Sequence, residues 1–167
     1  MISSIILDNI RSAHNVGSVF RTADAFAVPL IITVGITPHM VQESETRLPH
    51  VSAKATAAIA KTALGAEKTI SNIHCTSIEE AISLARQSAQ LIVALEQTAK
   101  SQKIQAFESI DDICLVLGHE VEGISKETLL LADTILEIPM LGKKESLNVS
   151  VAAGIAMYAL HSSSKDI

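Results

Sequence analysis

The chain has 167 residues, of which 48% are hydrophobic, 19% charged and 2% aromatic, and its net charge is −5. This length predicts one domain that folds without disulfides, and the apolar fraction excludes a disordered chain. The longest apolar-rich run, residues 149–160, is far shorter than the about 20 residues of a membrane-spanning helix. Cys75 and Cys114 form no C-x-x-C pair, so we expect reduced thiols in a cytoplasmic protein.

The negative charge is distributed unevenly along the chain. Residues 1–68 contain six Lys/Arg and five Asp/Glu, a balance of +1, whereas residues 69–167 contain seven and thirteen, a balance of −6. Because nucleic-acid binding depends on basic groups, any contact with a polyanion is expected to involve the N-terminal half. Three Phe and one Tyr do not favour a platform on which single-stranded bases stack.

Short apolar runs alternate with helical patterns in chain order. The runs predict strands at residues 3–7, 30–34, 90–95, 113–117 and 134–138, with a weaker pattern at 69–73. Two helices are predicted at residues 14–27 and 148–161. Two more are predicted behind serine caps: one follows a capping box that begins at Ser77, and one at 126–132 follows Ser125. This alternation predicts an α/β fold with a mostly parallel sheet and helices on both faces. Ligands of such sheets bind outside the carboxyl ends of the strands.

The last predicted helix, residues 148–161, has almost no polar face. A helix that is apolar all round is expected to be buried on all sides. We therefore predict that one side covers the sheet and the other a second subunit, which makes the protein a dimer.

Three loops that follow predicted strands contain polar residues, but none is decisive alone. In the first, Asn15 and Gly17 suit a turn into a helix N-terminus that attracts anions. Periodicity alone favours the alternative that Asn15 caps the helix and Arg21 pairs with Asp24.

The second and third loops are equally open when each is taken by itself. Gly118 and Gly123 follow a strand, yet Ile124 stands where a phosphate-binding loop needs lysine, which disfavours nucleotide hydrolysis. Glu120 alone is a solvated loop charge, and its neighbour His119 suggests proton transfer only if the two side chains face the same way. Ser146 and Asn148 are ordinary caps for the last helix. The six histidines are scattered, so no metal site is expected.

Taken together, the three loops resemble the motifs of the SpoU (TrmH) family of RNA ribose 2′-O-methyltransferases, which belong to the SPOUT class. The matching segments are NVGSVFRTA at 15–23, LVLGHEVEG at 115–123, IPM at 138–140 and SLNVSVA at 146–152. They occur in the family's order and span nearly the whole chain. The resemblance implies a single SpoU-type methyltransferase domain over residues 1–167, without an additional RNA-binding domain.

The resemblance further implies a homodimer with a C-terminal trefoil knot. It implies an enzyme that transfers a methyl group from S-adenosylmethionine to a ribose 2′-hydroxyl of tRNA or rRNA. By motif position, the implied cofactor-binding residues are Leu95, Gly118, Ile138 and Leu147. The implied catalytic residues are Arg21, Asn15, Glu120, Ser146 and Asn148. Because arginine stays protonated, we expect Arg21 to bind an RNA phosphate and to stabilise the developing alkoxide of the ribose, rather than to act as a base.

Few basic groups are available for RNA. The candidates are Arg11, Arg21, Arg47, Lys54 and Lys61. Residues 37–68 are expected either to reach over the substrate or to form a solvated loop and helix. The net negative charge favours an alternative function, a non-catalytic knotted module that binds RNA or adenosine compounds. The complete set of catalytic-type residues favours the enzyme.

Overall fold

A single seven-stranded sheet forms the centre of the protein in the computed structural model, which describes residues 1–42, 46–108 and 112–162. The strands are β1 (Ile2–Asp8), β2 (Leu30–Val34), β3 (Ser71–Cys75), β4 (Leu91–Leu95), β5 (Gln102–Lys103), β6 (Ile113–Leu117) and β7 (Thr134–Glu137). Their order is β3-β2-β1-β6-β4-β7-β5, and every adjacent pair is parallel. The predicted mostly parallel sheet is therefore confirmed.

Two strands differ from the sequence prediction by more than one residue at an end. The weak pattern at 69–73 becomes β3 two residues later, because a 3₁₀ helix at Ala66–Lys68 precedes it and the Ile70 amide still donates to the Ala66 carbonyl oxygen. β5 was not predicted, since it consists of two exposed residues and has no apolar pattern.

In the described residues, five α-helices cover the sheet: α1 (Ala13–Ala25), α2 (Pro49–Ala63), α3 (Ile78–Ala85), α4 (Lys126–Leu131) and α5 (Val149–Ser162). Ser77 and Ser125 cap α3 and α4 as predicted, each accepting a hydrogen bond from the amide three residues later. The prediction that Asn15 caps α1 is wrong. Ser12 is the cap, because its hydroxyl accepts from the Asn15 amide at 3.2 Å and the helix begins at Ala13.

The helices lie on both faces of the sheet, as predicted, and each face has its own apolar core. Side chains alternate along β1, so that Ile5 and Leu7 enter one core and Ile6 the other. The first core receives buried residues from α1, α2 and α5, and the second receives Ala81 and Ala85 from α3.

Within residues 37–68, α2 packs firmly against α1. A Cβ atom on Gly17 would overlap the Ile59 carbonyl oxygen and Thr62 Oγ1, so only glycine permits this close approach. The Thr62 hydroxyl also donates to the His14 carbonyl oxygen at 2.9 Å. α2 is thus a fixed part of the fold, whereas residues 43–45 of the same predicted segment lie outside the described residues.

α5 is buried on one side only. Ala153, Ala156 and Met157 are fully buried, whereas Ile155 is 39% and Tyr158 67% exposed. The predicted burial on all sides is not met within one chain. Over residues 1–42, 46–108 and 112–162, no helix is long and apolar enough to cross a membrane.

Candidate active site

A cavity of about 290 Å³ lies where β4, β6 and β7 end. This volume is close to the lower end of the roughly 300–1,000 Å³ typical of small-molecule sites. All four residues that were predicted to bind cofactor lie in its wall, namely Leu95, Gly118, Ile138 and Leu147. Leu95, Gly118 and Ile138 come together because parallel strands present their carboxyl ends at one edge of the sheet, and Leu147 joins them from the segment just before α5.

The turn after β6 forms one wall of the cavity and requires two glycines. His119 and Gly123 exchange backbone hydrogen bonds of 3.1 and 3.0 Å, and Gly123 has a positive φ of 71°. A Cβ atom on Gly118 would lie 2.7 Å from the Gly123 carbonyl oxygen and 2.6 Å from Ile124 Cγ1. Glycine at both positions therefore allows the turn to close tightly over β6.

His119 stabilises this turn from within. Its Nδ1 accepts hydrogen bonds from the amides of Val121 and Glu122 at 3.1 and 3.0 Å. A nitrogen that accepts two hydrogen bonds carries no proton, so His119 is held as the Nε2–H tautomer. No hydrogen bond joins its ring to Glu120 within the described residues, and the suggested proton transfer between the two side chains has no support in this geometry.

Glu120 links the turn to the start of α1. Its Oε2 accepts from the Arg11 amide at 3.0 Å, while its Oε1 accepts from the Ser12 amide at 3.1 Å and from Asn15 Nδ2 at 2.9 Å. Burial raises the pKa of this carboxyl, but hydrogen bonds from Arg11, Asn15 and Ser12 outweigh it and hold the pKa below its ordinary value. Glu120 is therefore ionised and fixed in position.

Asn15 and Asn148 extend this network to α5. Asn148 Nδ2 donates to Asn15 Oδ1 at 3.2 Å, and Asn148 Oδ1 accepts from the amide and the hydroxyl of Ser150 at 2.9 and 2.7 Å. Asn148 thus also caps α5, as expected for a small polar residue before a helix. Ser146 lies in the cavity wall. The structure accordingly brings four of the five predicted catalytic residues to one place.

Arg21, the fifth predicted catalytic residue, lies apart from the cavity. It is exposed on α1, six residues after Asn15, and makes no ion pair among the described residues. The predicted pairing with Asp24 is wrong, because the Asp24 carboxylate accepts from the Thr69 hydroxyl at 2.6 Å instead. The Arg21 guanidinium is therefore available to a ligand from solvent.

The other predicted RNA-binding residues differ in how free they are. Lys54 and Lys61 are exposed one above the other on the outer side of α2, and Arg11 is exposed beside the Glu120 network. The Arg47 guanidinium, in contrast, donates to the carbonyl oxygens of His39 and Met40, both at 3.3 Å. Arg47 therefore holds the loop before α2.

Several residues of the cavity wall were not identified from the sequence, including Glu96, Gln97 and Glu137. Each stands at or just after the end of a predicted strand, which is the signal that would have identified them. The wall contains five carboxyl groups, those of Glu96, Glu120, Glu122, Glu137 and Glu145, and no lysine or arginine is among its described residues. Such a lining suits a ligand with a cationic group. No group of three or more potential metal ligands occurs in the described part of the chain.

Curated proteins are similar to this chain in sequence over most of its length. The 23S rRNA (guanosine-2′-O-)-methyltransferase RlmB of Coxiella burnetii is 32% identical over 159 residues, which cover 92% of this chain and 56% of that protein. A protein of Borreliella burgdorferi described as an uncharacterized tRNA/rRNA methyltransferase is 31% identical over 157 residues, covering 93% of this chain and 62% of that one. The chain spans somewhat more than half the length of these relatives.

Solved structures share the fold. The AdoMet-bound rRNA methyltransferase of Sinorhizobium meliloti superposes with a TM-score of 0.76 at 26% identity, over 98% of this chain and 57% of that one. The A. aeolicus TrmH/SpoU tRNA modifying enzyme gives a TM-score of 0.77 at 23% identity, over 96% of this chain and 75% of that one. The sequence model of the SpoU rRNA Methylase family matches residues 3–158. The second and third motifs line the cavity, and Asn15 of the first motif is hydrogen-bonded to both of them. The chain belongs to the SpoU rRNA methylase family, as those motifs predicted.

Proposed function

We propose that this protein transfers a methyl group from S-adenosylmethionine to a ribose 2′-hydroxyl of tRNA or rRNA. The observation that carries this proposal is the hydrogen-bonded network of Glu120, Asn15 and Asn148, which joins one residue from each of the three motifs beside a cavity. The names of the relatives, which act on rRNA or modify tRNA, support this substrate class.

Leu95, Gly118, Ile138 and Leu147 would hold the cofactor in the cavity that they line. When bound, S-adenosylmethionine supplies an electrophilic methyl group on a positively charged sulfur. The five carboxyl groups of the wall are suited to that positive charge. Glycine at 118 and 123 lets the turn close tightly, which keeps Gly118 in the cavity wall.

Arg21 would bind the RNA phosphate and stabilise negative charge on the attacking ribose oxygen. Asn15, Glu120, Ser146 and Asn148 would order the loops on which the ribose is placed, since three of them share one network. Arg11, Lys54 and Lys61 present free ammonium or guanidinium groups for the RNA backbone. Arg47 is a weaker candidate, because its guanidinium already binds two carbonyl oxygens.

The proposal extends to the assembly and topology. A homodimer is supported by the exposed apolar side chains along α5, since a second copy would complete their burial. The trefoil knot that the resemblance implies would thread the loops after β4, β6 and β7, which follow three adjacent strands and all line one cavity. Residues 1–167 would act as one catalytic domain, in the cytoplasm where its RNA substrates are found.

The test is transfer of labelled methyl from S-adenosylmethionine to separated tRNA and rRNA fractions from cells that lack the gene. We expect label in one fraction and a loss of about 10²-fold or more for Arg21→Ala, the usual cost of removing one group that stabilises an oxyanion. Lys126→Ala, on a helix of the opposite face, removes a matched exposed cation and should transfer label normally. Cofactor binding without label in either RNA would favour the non-catalytic module, which the net charge of −5 supports.

A further inference from the structure

Glu96 makes an unusual set of contacts at the end of β4. It is the first residue after that strand, it is half-buried, and it lines the cavity. Its Oε2 accepts a hydrogen bond from the Ile124 amide at 2.7 Å, and its Oε1 accepts from the Gln97 amide at 2.9 Å. Its own amide donates to the Leu136 carbonyl oxygen of β7 at 2.9 Å. The carboxylate thus connects the turn after β6 to a point fixed by two strands.

The Glu96 carboxylate also occupies the space beside the turn. A Cβ atom on Gly123 would overlap its Oε2, so the glycine at that position and the carboxylate are packed as a pair. Hydrogen bonds from an amide to a carboxylate are roughly twice as strong as those between neutral groups. Glu120 holds the opposite side of the turn to α1 through three donors. The segment that carries Gly118 is therefore braced by one carboxylate on each side.

We infer that Glu96 is a positioning residue for the cofactor pocket, which acts by holding the Gly118–Gly123 turn at its distance from β4. This inference rests on the proposed function. Glu96 differs from the neighbouring Glu122, which lines the same cavity but accepts no hydrogen bond within the described residues. The two glutamates contribute the same charge to the wall, and only Glu96 holds the turn. Comparison of the two therefore separates positioning from simple electrostatic attraction.

The experiment compares Glu96→Ala and Glu96→Gln with Glu122→Gln as the matched control. Calorimetry would measure the Kd of S-adenosylmethionine and of its uncharged-sulfur product, S-adenosylhomocysteine. We expect Glu96→Ala to weaken both by about tenfold, equivalent to about 1.4 kcal/mol. Glu96→Gln should weaken the binding of both compounds by about threefold, which lies between the wild type and Glu96→Ala, because a glutamine has one acceptor oxygen where the carboxylate uses two. Glu122→Gln should weaken S-adenosylmethionine only by about twofold and leave S-adenosylhomocysteine unchanged.

A second measurement does not depend on any ligand. Hydrogen exchange of the Ile124 amide in the free protein should become about tenfold faster in Glu96→Ala and remain unchanged in Glu122→Gln. With RNA present, Glu96→Ala should raise the KM for S-adenosylmethionine and keep kcat within about threefold, which a general loss of folded protein would not do.

Two results would overturn the inference: equal losses of affinity in Glu96→Gln and Glu122→Gln, or an Ile124 amide that exchanges at the wild-type rate in both Glu96 variants. If Glu96→Ala fails to fold, Glu96→Gln and its Ile124 exchange decide the matter. If the wild-type protein binds neither compound, the proposed function fails, while the Ile124 amide still shows whether Glu96 braces the turn.

Discussion

Replacement of Glu120 by alanine removes the acceptor of three hydrogen bonds that connect the turn after β6 to the start of α1. The donors are the Arg11 amide, the Ser12 amide and the Asn15 side chain, at 3.0, 3.1 and 2.9 Å. A hydrogen bond to a charged group contributes about 1.5–3 kcal/mol. The Arg11 contact is exposed, so water replaces it, whereas the other two are partly buried. We therefore count only the bonds from Ser12 and Asn15, at about 1.5 kcal/mol each. Glu120→Ala should then lower the unfolding free energy by about 3 kcal/mol at neutral pH.

The assay is equilibrium unfolding in urea at pH 7, with Glu122→Ala as the control. Glu122 is exposed on the same turn, and a surface substitution there should change the unfolding free energy by no more than about 0.5 kcal/mol. Equal midpoints and slopes for the two variants would show that the network does not stabilise the fold.

The difference in unfolding free energy between the wild type and Glu120→Ala is expected to depend on pH. Burial raises the pKa of Glu120, but the hydrogen bonds from Arg11, Asn15 and Ser12 lower it by more, so the pKa in the folded protein lies below the ordinary 4.5. A depressed carboxyl pKa gives stability that is complete above the unfolded value and is lost as pH falls through the folded one. The difference between wild type and Glu120→Ala should therefore be constant from pH 7 to about 5.5 and shrink below about pH 4.5. A difference that persists unchanged at about pH 3 would refute the assigned role of the ionised carboxylate.

Two further substitutions test the glycine of the cavity and the start of α1. Gly118→Ala would place a methyl group 2.7 Å from the Gly123 carbonyl oxygen, so calorimetry should show at least a tenfold (about 1.4 kcal/mol) loss of cofactor affinity. Gly142→Ala meets no atom within 4 Å and should bind normally; similar affinity in the two variants would contradict the packing argument. Ser12→Ala removes the cap of α1 and should lower the urea unfolding free energy by about 1 kcal/mol. Ser18→Ala, which loses only a hydroxyl bonded back to the helix, is its control, and equal stabilities would show that Ser12 does not act as a cap.

The sheet was predictable because its strands are short apolar runs buried on both faces. The segments 113–117 and 30–34 match β6 and β2 residue for residue. Caps at Ser77 and Ser125 were predictable because the donor lies three residues away, within reach of local pattern. The cap of α1 was not, since Ser12 and Asn15 are both good cap residues and the choice depends on Glu120, which binds both from a distant loop.

The candidate site was predictable from motifs and only partly from physics. The rule that ligands bind at strand ends selects the loops after Leu7, Leu95, Leu117 and residue 138, and three of these form the cavity. The rule does not identify Glu96, because its role lies in a hydrogen bond to Ile124, 28 residues away. Nor does local pattern show that α2 packs against Gly17, a contact that depends on the absence of a side chain.

The position of the catalytic network follows from the register between β1 and β6. Leu7 pairs with Leu117, so the two strands end side by side and their loops leave the sheet at neighbouring points. This pairing brings Asn15 within 2.9 Å of Glu120 although 105 residues separate them in the chain. A slip of one residue would move one loop by about 3.3 Å along the strand and exchange the two faces of β1. That shift is as large as the hydrogen bonds themselves, so no bond of the network would survive it. Ile5 and Leu7 are close-packed in one core and Ile6 in the other, so a slip would exchange these side chains and disrupt the packing of both cores. The packing of the sheet thereby sets the geometry of the polar site at its edge.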